Sequence, residues 1–199
     1  MENIQALHFA LVIGAYLLGS ISSAIIVCKL MGLPDPRSQG SNNPGATNVL
    51  RIGGKKAAAF TLIGDLLKGV IPVASCHLLQ MPALIFALTA LAAFLGHLYP
   101  LYFGLKGGKG VATAIGIQLA LSWKIGLVVI AIWLFFAKVV KISSIAALIS
   151  MTLAPFIIYY VWPAPELIIM QIILTILMFW RHRSNIKQLI SGMESKIGS

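Results

Sequence analysis

Seven long apolar runs decide what this chain can fold into. They lie at roughly residues 4–30, 57–80, 82–103, 111–122, 125–140, 142–162 and 166–180. Several continue past the ~18 apolar residues that mark a transmembrane helix, a length that core helices of soluble domains rarely reach. Only 10% of the residues are charged and mean hydropathy is +0.93, against about 25% charged in an ordinary soluble domain. The chain therefore reads as an all-α integral membrane protein with a single polytopic domain over residues 1–199, and its two halves give no internal repeat. The first run follows Glu2 instead of a basic segment. At about 25 residues it is too long for the apolar part of a signal peptide, so it is expected to stay as the first span.

The breaks between runs carry turn chemistry at Gly32–Pro34, Gln80–Pro82, Gly104–Gly110 and Trp162–Pro165. Residues 111–141 admit two readings, one long helix or two short spans turning near Ser122–Lys124. Charge separates them. With the N-terminus outside, the C-terminus cytoplasmic and seven transmembrane helices, 13 of the 15 basic residues fall on inner segments, Lys124 falls outside and Lys68 within a span. A single crossing over 111–141 would put Lys138, Lys141 and the basic C-terminus opposite the glycine-rich loop, against the positive-inside rule. Seven spans require two short helices of about 15 residues each, which are tolerated where they line a cavity.

Net charge is +10, but the basic residues sit between apolar runs and form no single soluble face, so nucleic acid is not expected as a partner. Membrane lipid and anionic substrates are. Cys28 and Cys76 lie at opposite expected depths, which argues against a disulfide, and no zinc spacing is present. No metal or other cofactor is expected.

Polar groups out of place in lipid locate a site. GLKGGKGVAT (104–113) sets Gly104, Gly107, Gly108 and Gly110 around Lys106 and Lys109 at the start of an apolar run. Glycines let backbone N–H groups turn toward a ligand, and a helix start adds partial positive charge, so this segment reads as an anion cradle. It is not a P-loop: Phe103 stands where GxxxxGK[ST] needs glycine, and Gly110 follows Lys109. The polar inner loop DPRSQGSNNPGATNVLRIGGKK (35–56) offers Ser41, Asn43, Gly45 and Asn48 around a rigid Pro44 turn, with Arg51 suited to bidentate phosphate contacts. RHRSNIKQL (181–189) sets His182 and Asn185 three apart, on one helix face. Ser143 and Ser144 open the sixth run, where the ordinary role is an N-cap. Asp65 and Lys68, at i, i+3 in GDLLKG, form a mutual ion pair in the ordinary reading. In the sharper one Lys68 also faces substrate. His97 ends the third run and, taken alone, is most often a packing histidine.

Apart from Asp65 and Lys68, these elements share one membrane face and the midplane reads as dry. An organic-phosphate or lipid transporter would place polar groups nearer the midplane. A scaffold holding anionic lipid would tolerate Ser41→Ala and Gly108→Ala.

Taken together, SNNPGATNVLR (41–51), GHLYPLYFGLKGGKGVAT (96–113) and RHRSNIKQL with Glu194 resemble the three motifs of the bacterial acyl-phosphate:glycerol-3-phosphate acyltransferases, and GDLLKG and the Ser143–Ser144 segment match as well. The resemblance covers essentially the whole chain. It implies a multi-pass enzyme of the bacterial cytoplasmic (inner) membrane with its active site facing the cytoplasm. A monomer is the expected working unit. The reaction that the resemblance implies moves a fatty acyl group from acyl phosphate to the 1-hydroxyl of sn-glycerol 3-phosphate, giving lysophosphatidic acid and inorganic phosphate. On the same resemblance, Ser41, Arg51, Lys109, Ser144, His182 and Asn185 are tied to catalysis. Asn43, Gly45, Asn48, Lys68, His97, Lys106, Gly107, Gly108 and Gly110 become candidates for substrate or phosphate binding, and Asp65 and Glu194 for structural positions. Asn42 stands where the family usually has glycine, and asparagine tolerates positive φ better than most residues.

No histidine is followed by Asp five residues on, and no G-x-S-x-G elbow is present. A covalent acyl-serine is not indicated. Direct attack by the acceptor hydroxyl is expected, with His182 as a general base or an orienting group, or with the substrate's own phosphate accepting the proton.

Overall fold

In the computed structural model, which describes residues 2–197, every regular element is helical. The long helices are α1 (Glu2–Gly19), α3 (Ala46–Leu78), α4 (Ala83–Leu98), α6 (Trp123–Val139), α7 (Ser143–Val161) and α8 (Pro165–Arg181). Shorter ones are α2 (Ser23–Leu30), α5 (Val111–Leu121) and α9 (Arg183–Ile190). Three helical segments among the described residues are long and apolar enough to cross a membrane, or five if each bent pair counts as one span.

The 111–141 region is two helices, of 11 and 17 residues, that turn at Ser122. Ser122 is extended, at φ −160, and interrupts the helical path between them. The first apolar run is also broken: α1 and α2 meet at 43° across residues 20–22. That break frees the Ile21 carbonyl, and Lys68 Nζ donates to it at 3.0 Å while pairing with Asp65 Oδ1 at 2.9 Å. A helix interrupted within a membrane domain needs such a partner, because lipid supplies none.

Small residues set the closest helix approaches. A Cβ on Gly69 would stand 2.3 Å from the Thr113 carbonyl oxygen, and one on Gly116 would stand 2.2 Å from that of Leu66, so α3 and α5 meet backbone to backbone. Without a hydrophobic force between helices in lipid, such close packing is what holds them together. Thr113 Oγ1 adds a hydrogen bond to the Asp65 carbonyl at 2.9 Å. Phe94, Leu98, Ile117, Met151, Leu174 and Met178 are buried where α4, α5, α7 and α8 converge.

The interior is not dry, contrary to the expectation from sequence. Gln118 Nε2 donates to Gln171 Oε1 at 3.0 Å, and Thr175 Oγ1 to the Met151 carbonyl at 2.9 Å, with both glutamines fully buried. Each glutamine sits alone in an apolar stretch of its own helix, and only the tertiary fold makes them a pair, with both amides reaching toward Met151 Sδ of α7.

Candidate active site at the glycine loop

The loop before α3 is organised by one buried amide. Asn48 Nδ2 donates to the carbonyls of Pro36 (2.9 Å) and Gln39 (3.0 Å), and Asn48 Oδ1 accepts from the Ser41 N–H at 2.9 Å. Asn48 thus shapes the loop and presents Ser41, which is exposed. Helix α3 begins at Ala46, inside what the sequence suggested was loop, and kinks at Gly54 with φ 75. Asn42 occupies the left-handed region at φ 55. Gly45 is the N-cap of α3, and its N–H is taken by the Asn43 carbonyl at 2.9 Å.

The glycine loop folds back over the end of α4. Gly107 N–H donates to the Leu98 carbonyl and Gly108 N–H to the His97 carbonyl, each at 3.2 Å. At these two residues the expected cradle of outward N–H groups is replaced by inward pairing. The loop is buried there, and a buried N–H without a partner is costly. The glycines answer to crowding. A Cβ on Gly107 would lie 2.0 Å from the His97 carbonyl oxygen, and one on Gly108 would lie 2.3 Å from His97 Nε2. A Cβ on Gly110, at φ +87, would meet Phe94 at 2.2 Å.

His97 and Lys68 lie behind this loop. His97 is buried, with Nδ1 3.7 Å from Asp65 Oδ1, and the Lys68–Asp65 side chains are only 5% and 4% exposed. His97 packs under the loop at Gly108, and Lys68 ties the α1–α2 break at Ile21. Lys106 is exposed on the loop's outer side.

From the other side the loop is held by Arg181, which the sequence suggested only as a charge at the membrane face. Its Nη2 donates to the Gly107 carbonyl at 2.6 Å and its Nε to that of Gly108 at 3.1 Å. Its guanidinium also lies 5.7 Å from the centre of the Tyr99 ring. Nothing in RHRSNIKQL distinguishes it from Arg183, which turns back to the Trp180 carbonyl at 3.0 Å.

Four side chains then form a continuous polar chain. Lys109 Nζ donates to Asn185 Oδ1, Asn185 Nδ2 to Glu194 Oε1 at 2.6 Å, and Ser144 Oγ to the same Glu194 oxygen at 2.8 Å. Ser144 is not a cap, since Ile142 holds the N-cap position of α7 and no side chain bonds there. The C-terminal segment lies across this group: Arg51 Nη2 donates to Ser195 Oγ at 2.6 Å and the Ile197 N–H to the Lys141 carbonyl at 2.7 Å. His182 is buried at the α8–α9 corner, with Nδ1 2.9 Å from the Met178 carbonyl. A carbonyl only accepts, so Nδ1 carries the proton and Nε2 presents its lone pair.

Burial shifts the two titratable groups. Desolvation brings Lys109 down to about 8; the Glu194 carboxylate opposes the shift, and Arg181 and Arg51 add to it. Desolvation likewise brings His182 down to about 4, against the bond to Met178 and with help from Lys109 and Arg181. At neutral pH the site holds a cationic lysine beside a neutral imidazole. It can neutralise an anion and orient a hydroxyl. No group of three or more His, Cys, Asp or Glu that could hold a metal occurs among the described residues.

A profile described as glycerol-3-phosphate acyltransferase matches residues 9–192. The chain is 54% identical to the glycerol-3-phosphate acyltransferase of Thioalkalivibrio sulfidiphilus over 190 residues, covering 96% of this chain and 94% of that protein. It is 52% identical to that of Hydrogenovibrio crunogenus over 198 residues, covering 99% and 95%. Its fold is similar to the crystal structure of PlsY (YgiH), an integral membrane glycerol 3-phosphate acyltransferase, in its glycerol 3-phosphate form. That likeness has a TM-score of 0.91, with 38% identity and 96% of each chain covered. With agreement in sequence and fold along nearly all its length, the chain belongs to the glycerol-3-phosphate acyltransferase family.

Proposed function

We propose that this enzyme transfers a fatty acyl group from acyl phosphate to the 1-hydroxyl of sn-glycerol 3-phosphate, releasing lysophosphatidic acid and inorganic phosphate. The observation that carries the reading is the Lys109–Asn185–Glu194–Ser144 chain with Arg51 at its edge. It gathers the Lys109 ammonium, the Asn185 amide and the Ser144 hydroxyl beside the Glu194 carboxylate, with the Arg51 guanidinium on neighbouring Ser195, and these donors suit phosphate bound next to a hydroxyl. Ser41, presented by the Asn48-ordered loop, is a further donor at the same end of the bundle.

The acceptor oxygen attacks the acyl carbonyl carbon, and the carbonyl–phosphate C–O bond then breaks with its electron pair leaving on phosphate. Acyl phosphate is a mixed anhydride with a good leaving group, so alignment and charge neutralisation carry most of the catalysis. Lys109 and Arg51 serve the phosphate charge, while Asn185 and Ser144 orient. A phosphate with its second pKa near ~6 is more basic than His182 at about 4. His182 therefore accepts a hydrogen bond from the hydroxyl at Nε2, and the proton ends on a phosphate oxygen. No acyl-enzyme forms.

In this proposal the single domain acts as a monomer in the bacterial inner membrane, with seven spans, the N-terminus outside and the site facing the cytoplasm. The positive-inside count supports it, as does the turn at Ser122 that splits residues 111–141 into two helices.

The test is acyl transfer to labelled glycerol 3-phosphate by the purified protein in lipid, with palmitoyl phosphate, palmitoyl-CoA and palmitoyl carrier protein offered separately. Lysophosphatidic acid from acyl phosphate alone is the expected result. Product only from either of the other donors would overturn the donor assignment.

A further inference from the structure

The segment just before Lys109 is clamped between the ends of two helices. The N–H groups of Gly107 and Gly108 donate to the Leu98 and His97 carbonyls at the end of α4. Their own carbonyls accept from Arg181, the last residue of α8, at 2.6 and 3.1 Å. The clamp is itself fixed. The Arg181 guanidinium lies 5.7 Å from the centre of the Tyr99 ring, and the Tyr99 carbonyl accepts the Tyr16 hydroxyl at 2.9 Å, so α1, α4 and α8 are tied at this point. Gly108 immediately precedes Lys109, and Arg181 immediately precedes His182, which is both the C-cap of α8 and the N-cap of α9. One guanidinium thus joins the backbone beside Lys109 to the backbone beside His182. It also covers two carbonyl oxygens, the negative ends of peptide dipoles, which left bare would repel an arriving anion. Lysine has no planar fork and cannot take both carbonyls in the same geometry. Arg183 has the same side chain but bonds the Trp180 carbonyl and lies over the Trp180 ring, 4.9 Å from its centre.

We propose that Arg181 is a positioning residue for acyl transfer, acting through the Gly107 and Gly108 carbonyls to set Lys109 against His182 and to keep the loop receptive to an anion. This role rests on the proposed reaction, in which Lys109 meets phosphate and His182 meets the acceptor hydroxyl. It has an electrostatic counterpart. Lys109 faces Glu194 beyond α9, Arg51 of α3, Arg181 of α8 and the neutral imidazole of His182. Burial brings Lys109 down to about 8, Glu194 opposes that shift, and the charges of Arg181 and Arg51 add to it. Removing the Arg181 charge therefore raises Lys109. Keeping the charge and losing only the fork does not.

The test compares Arg181→Lys and Arg181→Gln with wild type and with Arg183→Lys, the control at the neighbouring arginine. Melting temperature in detergent checks the fold of each. Arg181→Lys is expected to lower kcat by about tenfold or more, because alignment is lost in the transition state. Its KM values for acyl phosphate and glycerol 3-phosphate should stay within about threefold of wild type. Arg181→Gln should lose at least as much kcat, raise KM for a phosphate-bearing substrate, and move the alkaline limb of kcat/KM upward by about half a pH unit. Lys109 is also titrated without reference to activity, by competitive labelling with acetic anhydride read by mass spectrometry. Wild type, Arg181→Lys and Arg183→Lys should titrate alike and Arg181→Gln higher. Wild-type kcat in Arg181→Lys would overturn the positioning role, as would an equal loss in Arg183→Lys. An unshifted Lys109 in Arg181→Gln would overturn the electrostatic part. If Arg181→Gln does not fold, kcat in Arg181→Lys against Arg183→Lys decides. If wild type transfers no acyl group from any donor, the reaction reading fails, and the labelling titration still decides whether Arg181 governs Lys109.

Discussion

Asn185 and Glu194, nine residues apart on either side of the last helical turn, are joined by a hydrogen bond of 2.6 Å from Nδ2 to Oε1. The same carboxylate oxygen takes the Ser144 hydroxyl, and Asn185 turns its other amide atom to Lys109. Glu194 therefore holds Ser144 of α7 and Asn185 of α9 directly, and Lys109 of the glycine loop through Asn185.

Removing that carboxylate should separate orientation from charge. A hydrogen bond to a charged group contributes about 1.5–3 kcal/mol, so Glu194→Ala is expected to lower kcat/KM by roughly 10- to 100-fold. Glu194→Gln keeps an oxygen that can accept from both partners and should lose less than Glu194→Ala. Steady-state kinetics at saturating donor, beside a melting curve, checks this. Equal losses in the two variants would leave the carboxylate no orienting role beyond its charge.

The glycine loop makes a sharper prediction because its two central glycines meet different atoms. A methyl group at Gly107 runs into the His97 carbonyl, which cannot move without α4, whereas at Gly108 it meets the His97 ring. Gly107→Ala and Gly108→Ala should each reduce activity by more than tenfold. Adding His97→Ala should restore activity in part to Gly108→Ala but not to Gly107→Ala. The double-mutant coupling energy, measured on activity, is the readout. No rescue at Gly108 would mean that the ring contact does not set the requirement for glycine.

These residues also mark how far the sequence can be read. The Asp65–Lys68 pair was legible from i, i+3 spacing, because helix geometry alone brings the two groups together. The turn at Ser122 was legible because the distribution of lysines and arginines over the loops favoured two short helices over one long one. Arg181 was not, since its partners are backbone carbonyls more than 70 residues away, and no side-chain pattern announces a carbonyl. The inward N–H groups of Gly107 and Gly108 were missed for a related reason. A glycine-rich run has the same composition whether it wraps an anion or the end of a helix. The break at residues 20–22 was hidden inside an apolar run, where the sign was Gly19 with Ser20, Ser22 and Ser23.

Titration of Lys109 should set the alkaline limb of the pH profile. With its pKa brought down to about 8 by burial, the ammonium is present below that value and lost above it. In wild type, kcat/KM is therefore expected to fall as pH rises through about 8, approaching tenfold per unit. Arginine stays protonated throughout, so Lys109→Arg should be slower but should lack that limb. His182, brought down to about 4, is neutral from pH 5 upward. Any limb near pH 6 then belongs to substrate phosphate and should persist in His182→Asn. Finding the alkaline limb unmoved in Lys109→Arg would assign it to another group.

Lys68 links an ion pair to a broken helix, and that makes its removal asymmetric. Lys68→Met would strand the Asp65 carboxylate and the Ile21 carbonyl together inside the bundle, where both side chains of the pair are almost wholly buried. Removing one member of a buried pair typically costs about 3–5 kcal/mol, whereas replacing both by apolar groups is often close to neutral. Asp65→Leu with Lys68→Met should therefore be the more stable of the two proteins. It should still fall short of wild type, because the Ile21 carbonyl keeps no donor. Unfolding in mixed detergent micelles measures the order. A single variant as stable as the double would place the main role of Lys68 at Ile21, with the ion pair contributing little.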